Sequence, residues 1–285
     1  MEGKPLRRRL PNVAASNRGQ VTQLWRSAID PREVSQAIKA DGAVVLPELL
    51  DSDLLSNLNA EFDDAFTNPS GCVSVGEHPP GKMVSISTQQ LVPGAFPAIA
   101  SVFLDSTFEA IAAEVLATDF TFHDRIALTH EFHPTAITDI HFDMKKSLKC
   151  LLYLVDTDHT NGAFSFATGT HIENSRYRSS FLNQGGQLRD LLNVAAKTES
   201  IPLHSICAAA GTVIIFDTDV FHQGGTVEPG RERRVMRARS LYPGQPTCHR
   251  HKWGSRAWWR YKMSPPKTPA GYRARRCSRG RSRAA

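Results

Sequence analysis

Hydrophobic residues recur at helical spacing early in the chain and form short runs or alternations later. That order predicts helices first and strands after. Asp30-Pro31 opens the first helix, with a capping carboxylate and proline at the first helical position. Val34, Ala37 and Ile38 form its apolar face, and Gly42 supplies the C-cap. Residues 43–46 then predict a strand. Asp51 caps a second helix, in which Leu54, Leu55, Leu58, Phe62 and Phe66 share one face. Residues 67–95 are rich in Gly, Pro and Ser and predict a loop with one strand near 83–87. A third helix near 105–116 carries Phe108, Ile111, Ala112 and Val115 on one side.

From residue 125 the pattern changes to strands: 125–132, the apolar run 148–155, the Gly-led run 211–216, and an alternating stretch from Arg233 to Tyr242. Asn161-Gly162 has the chemistry of a tight hairpin turn. Residues 172–205 interrupt the strands as an insert, with a helical piece near 188–196.

The candidate chemistry lies where the strands lie. His141 and Asp143 stand two positions apart, and in an extended segment such residues face the same way. Together they aim an imidazole and a carboxylate at one point. His222, at the end of the 211–216 run, is the best third ligand. Two histidines and a carboxylate on one face, with the other positions open, form the ligand set of non-haem Fe(II) oxygenases. Eleven residues further on, Arg233 offers a planar fork that pairs with a carboxylate. Arg231 has the same facing and competes with it. His123, His130 and His133 also lie near in sequence, but their spacing to Asp143 does not repeat the i, i+2 geometry, and they read as strand or loop residues. Asp139 either orients a ligand or faces solvent. Lys145, Lys146 and Lys149 read as a solvated strand edge, with contact to an anionic substrate or co-substrate as the alternative.

The order His141-x-Asp143, 156–162 with Gly169-Thr170-His171, 211–216, His222 and Arg233 resembles the phytanoyl-CoA dioxygenase family. Residues 40–47 resemble that family's opening strand, and the resemblance spans roughly 30–243. It implies a mainly β protein with flanking helices, built on a double-stranded β-helix, or jelly roll, of the cupin-like kind. It implies Fe(II) held by His141, Asp143 and His222, with 2-oxoglutarate as co-substrate paired to Arg233, and O2 as oxidant. His171 matches a family element that does not bind metal, so its implied role is structural. The insert is expected to cross the barrel mouth and shape substrate choice. Because Asp143 keeps the carboxylate that related halogenases lack, hydroxylation or another oxidation is implied rather than halogenation. One departure stands out: the family often has Ser two positions after the distal histidine, and here it is Gly224. A second polar contact to 2-oxoglutarate is therefore unassigned.

Composition and charge change this picture little. A chain of 285 residues with 41% hydrophobic content suits one globular domain with tails. Twelve of the 34 basic residues fall in 250–285, which has no acidic residue; the remaining 22 stand against 28 acidic ones, a net of −6 for residues 1–249. The expected organisation is an N-terminal arm (1–27), a dioxygenase domain (28–249) with the insert at about 172–205, and a basic C-terminal tail (250–285). The tail reads as solvated chain; nucleic-acid binding rests on it alone and is not expected. No apolar run is long enough for a membrane span, and the basic N-terminus lacks the apolar stretch of a secretory signal. Five cysteines without a CxxC pair read as free thiols in a reducing compartment, so a cytoplasmic enzyme is expected. The expected substrate is a small organic metabolite, most naturally one of secondary metabolism. The alternatives are an acyl-CoA hydroxylase and a non-catalytic jelly-roll binding protein.

Overall fold

The computed structural model describes residues 29–68, 73–78, 81–87, 91, 94–116, 121–122, 125–133, 140–143, 145–184 and 201–241. The expected arm (1–27), the basic tail (250–285), the helical piece near 188–196, His123 and Asp139 lie outside these residues.

The first helix, α1 (Pro31–Asp41), starts where the Asp30 carboxylate accepts from the Arg32 amide at 2.9 Å. It ends at Gly42, whose φ of 85° is left-handed and whose amide donates to the Ile38 carbonyl. A Cβ at Gly42 would lie 2.8 Å from the His171 ring, so close packing also requires glycine there. Strand β1 (Ala43–Leu46) follows at once, and α2 (Ser52–Thr67) is capped by Asp51, which accepts from the Leu54 amide at 2.7 Å. Strands β2 (Val73–His78) and β3 (Gly81–Ser87) form a hairpin, where the sequence predicted a single strand.

Helix α3 (Pro97–Phe103) has no counterpart in the predicted elements. Its start carries no local side-chain cap. Instead the Glu61 carboxylate on α2 accepts from the Ala98 and Ile99 amides at 2.7 and 2.8 Å. A cap supplied from 37 residues away leaves no local signal. Helix α4 (Ser106–Leu116) matches the predicted third helix.

The strands that follow are β4 (Thr121–Phe122), β5 (Arg125–Phe132), β6 (Leu148–Tyr153), β7 (Phe164–Phe166), β8 (His204–Ser205), β9 (Val213–Asp217), β10 (His222–Gly224) and β11 (Glu232–Leu241). Helix α5 (His171–Asn183) falls between β7 and β8 and fills the first part of the expected insert. Among the described residues, the large sheet runs β1-β9-β6-β11-β5-β3-β2 with β4 beside β11, and the small sheet runs β10-β7-β8. Every pairing is antiparallel. This is the two-sheet arrangement of a jelly roll flanked by helices, as expected.

The pleat gives the large sheet two different faces. Val84, Ile86, Ile126, Leu128, Leu148, Cys150, Leu152, Val213, Ile215, Met236 and Ala238 join the helices in one aliphatic core. The opposite face places Ala43, Leu151, Tyr153, Ile214, Phe216 and Val235 against Phe164 and Phe166 of the small sheet. The candidate site lies on this inner side.

Candidate metal centre

His141 and His222 are brought together by backbone pairing. Each donates its amide to the other's carbonyl, at 3.1 Å from His141 and 2.8 Å from His222. The Asp143 amide donates to the Thr218 carbonyl at 2.9 Å, which fixes the chain two residues further along. The imidazole rings then stand 4.4 Å apart, and Asp143 Oδ1 lies 3.8 Å from Nε2 of each histidine. One ligand atom from each of the three residues falls within 4.8 Å of the others. The expected metal ligands therefore converge.

The surroundings set the form in which these groups bind. His222 Nδ1 faces the Val220 carbonyl at 2.8 Å, which suits a proton on Nδ1 and leaves the Nε2 lone pair for a metal. Burial, reinforced by the neighbouring His141, pulls the His222 pKa down to about 3, so the ring is neutral at ordinary pH. Burial works against the charge of Asp143, but Lys149 and the two histidines overcome it and hold the carboxyl below the usual carboxylate range. Lys149 Nζ lies 2.5 Å from Asp143 Oδ2 and 5.9 Å from the centre of the Phe216 ring. The reading of Lys149 as a solvated strand edge is thus corrected: it points inward and grips the carboxylate. The signal was present, since Lys149 shares strand parity with Leu151 and Tyr153 in an apolar run.

Arg178 on α5 also reaches this loop. Its Nη2 donates to the Asp143 carbonyl at 2.5 Å, its guanidinium pairs with Asp219, and it stacks 5.3 Å from the centre of the Phe142 ring. No sequence pattern singled it out, because it joins the site only through the fold. The insert's first helix is thereby anchored to the metal-side loop.

Arg233 is 9% exposed, while Arg231 is exposed and paired with Asp158 at 3.2 Å. Of the two, Arg233 is the one buried on the inner side. Its guanidinium lies beside two glycines: a Cβ at Gly162 would meet Arg233 Cδ at 2.7 Å, and one at Gly224 would lie 3.6 Å from Nη1. Gly162, at φ 86°, thus serves the turn and makes room for the arginine. Glu131, directly opposite on β5, accepts from Arg233 Nη1 at 2.7 Å. The Arg233 Nε has no hydrogen-bond partner among the described residues. Tyr153 OH accepts from the Phe164 amide and donates to the Ile206 carbonyl, tying the two sheets together beside the arginine.

The other candidates lie apart from the centre. His130 pairs with Glu232 at 2.6 Å, and His133 Nδ1 faces the Val227 carbonyl at 3.0 Å. His171 is buried, with Nε2 facing the Lys39 carbonyl at 3.2 Å. Lys146 pairs with Asp217 at 3.1 Å, and Lys145 is exposed. Cys150 is a buried free thiol and Cys207 an exposed one.

The sequence matches the phytanoyl-CoA dioxygenase (PhyH) family over residues 38–235. The chain belongs to this family. No curated protein sequence matches the chain. Among solved structures, it is similar to the epimerase SnoN in complex with Fe3+, alpha ketoglutarate and nogalamycin RO, with a TM-score of 0.57 and 16% identity over 84% of this chain and 91% of that one. HygX from Streptomyces hygroscopicus, with nickel and 2-oxoglutarate bound, gives a TM-score of 0.55 and 14% identity, covering 76% of this chain and 89% of HygX. EctD from S. alaskensis, in its apoform, gives 0.54 and 16%, covering 78% and 82%. At these identities the likeness concerns the fold: a family member with a jelly-roll core. Two imidazoles and one carboxylate facing inward, with the His222 ring neutral and the acid ionised, fit a divalent iron.

Proposed function

We propose that this protein is an Fe(II)- and 2-oxoglutarate-dependent oxygenase that oxidises, most simply by hydroxylation, a small organic metabolite. The convergence of His141, Asp143 and His222 on one point carries the reading. With iron(II) and 2-oxoglutarate bound, O2 supplies an oxidising power that reaches unactivated C–H bonds. The chain's own residues do the rest. His141, Asp143 and His222 would hold the metal, each through one ligand atom. The Val220 carbonyl holds the His222 ring in its binding tautomer. Lys149 occupies Asp143 Oδ2, leaving Oδ1 toward the histidines. Arg233 receives the distal carboxylate of 2-oxoglutarate, with Glu131 fixing one arm of the guanidinium and Gly162 and Gly224 leaving space beside it. Phe164 and Phe216, whose ring centres lie 5.8 and 5.0 Å from that of His222, form an apolar wall against this ring.

The similarity to SnoN, crystallised with nogalamycin RO, and to HygX, crystallised with hygromycin B, supports a substrate of secondary metabolism. No helix among the described residues is long and apolar enough to cross a membrane. The test is 2-oxoglutarate-dependent succinate release from the Fe(II)-loaded enzyme across a panel of such metabolites, read beside mass analysis under 18O2. A substrate that couples succinate release to gain of one labelled oxygen supports hydroxylation. Metabolite binding without succinate release at any member would count against catalysis and favour a binding protein.

A further inference from the structure

Strand β11 carries a second inward arginine. Arg237 lies four residues past Arg233, so the pleat puts both on the inner face, with backbones about 13 Å apart. Its pairing neighbours are Ala127 on β5 and Leu151 on β6, and neither offers it a polar group. Among the described residues its one hydrogen bond runs from Nη2 to the Met83 thioether sulfur at 3.4 Å, a weak acceptor for a guanidinium. Burial works against the charge of Arg237, with Glu131 and Asp143 the favourable fields.

A second, independent observation lies beside it. Thr129 is 4% exposed, and its hydroxyl has no hydrogen-bond partner among the described residues. Thr129 pairs with Val235 and Met83 and therefore shares the inner face, diagonal to Arg237. A buried hydroxyl and a guanidinium thus adjoin on one side of the centre, both short of acceptors.

The charge balance points the same way. Near the centre, the described residues pair Lys149 with Asp143 and Arg233 with Glu131. Among the described residues no carboxylate pairs with Arg237, whose one hydrogen bond goes to the Met83 sulfur. Fe(II) and 2-oxoglutarate carry opposite double charges, so loading the site would leave that positive charge unmatched among the described residues.

We propose that Arg237, with Thr129 beside it, binds an oxoanion group (carboxylate, sulfate or phosphate) on the primary substrate. This rests on the oxygenase reading and names the substrate's chemical class: an anionic metabolite, held by that group while a neighbouring carbon faces the metal. Guanidinium binds such groups through two parallel N–H donors, and the threonine hydroxyl adds a third donor. Arg233 and Arg237 then divide the work, one for co-substrate and one for substrate.

The probe is inorganic sulfate, titrated calorimetrically at constant ionic strength into the anaerobic Fe(II)- and 2-oxoglutarate-loaded protein. The visible band of the chelated 2-oxo acid is recorded on the same sample. Wild type binds sulfate saturably. Arg237→Gln weakens it at least tenfold, and Arg237→Lys, which keeps the charge without the fork, falls between. The band reports the oxygenase reading separately: its absence in wild type would defeat that reading whatever sulfate does. With the band present, equal sulfate affinity in wild type and Arg237→Gln overturns the proposal, as does the absence of saturable binding. An Arg237→Gln protein that needs more 2-oxoglutarate yet binds sulfate normally would assign the residue to the co-substrate, and overturns it too.

Discussion

The two faces of β6 obey different rules. Toward the helices it presents Leu148, Cys150 and Leu152, all buried in a continuous aliphatic core. Toward the small sheet it presents Lys149, Leu151 and Tyr153, and two of these three carry polar groups with assigned partners: Lys149 on Asp143, Tyr153 between Phe164 and Ile206. Strand β11 repeats the division, with Met236 and Ala238 outward and Arg233 and Arg237 inward. One face holds the fold and is interchangeable among apolar residues of similar volume. The other holds charges at fixed places and tolerates little. Burying a charge is costly unless it is matched, so inner-face cations mark the places where an anion belongs, whether a carboxylate of the chain or one that binds.

The largest effect is expected on the outer face. Leu152→Ala removes a fully buried side chain from the core. It should cost about 2–5 kcal/mol in urea unfolding, while Fe(II) affinity of the folded fraction stays unchanged. A parallel loss of iron affinity would blur the division between the faces.

A change beside the inner-face arginine should reach co-substrate binding as well. Gly162→Ala forces a side chain into a left-handed backbone and against Arg233 Cδ. The strain should cost about 1–2 kcal/mol. The displaced arginine should raise the 2-oxoglutarate requirement about tenfold with Fe(II) affinity intact, measured by titrating the chelate band. Unaltered 2-oxoglutarate affinity would separate Arg233 from the co-substrate.

The smallest effect belongs to Arg234, which alternates to the outer side, pairs with the exposed Asp63 and covers the Phe62 ring at 4.6 Å. Arg234→Ala should change stability by less than about 1 kcal/mol and leave both binding steps alone. A strong effect on 2-oxoglutarate would mean that the register of β11 is shifted by one residue.

The outer architecture was largely legible in the sequence. Helices α1 and α2 announce themselves through capping residues and apolar spacing, and α4 through apolar spacing, because helix caps and amphipathic stripes are local. Helix α3 was not, because its cap is Glu61 on another helix. The β2–β3 hairpin read as one strand because Gly, Pro and Ser mask its first half. At the site, the spacing His141-x-Asp143 and the order of His222 and Arg233 were visible. Their partners were not. Glu131, Arg178 and Lys149 reach the site by strand pairing and helix docking, which link positions 102, 35 and 6 residues apart. Only Lys149 left a trace, as a lone charge within an apolar run.

The central claim is that the three convergent side chains hold iron and that Arg233 holds 2-oxoglutarate. An anaerobic titration of the metal-free protein with Fe(II) and 2-oxoglutarate, watching for the visible charge-transfer band of a chelated 2-oxo acid, tests it most directly. The band should form in wild type, be lost in His141→Ala, and require roughly ten- to hundredfold more 2-oxoglutarate in Arg233→Ala, which loses a charge-assisted pair of about 1.5–3 kcal/mol. A folded, iron-loaded wild-type protein that shows no band, or a His141→Ala protein that keeps it, would contradict the account.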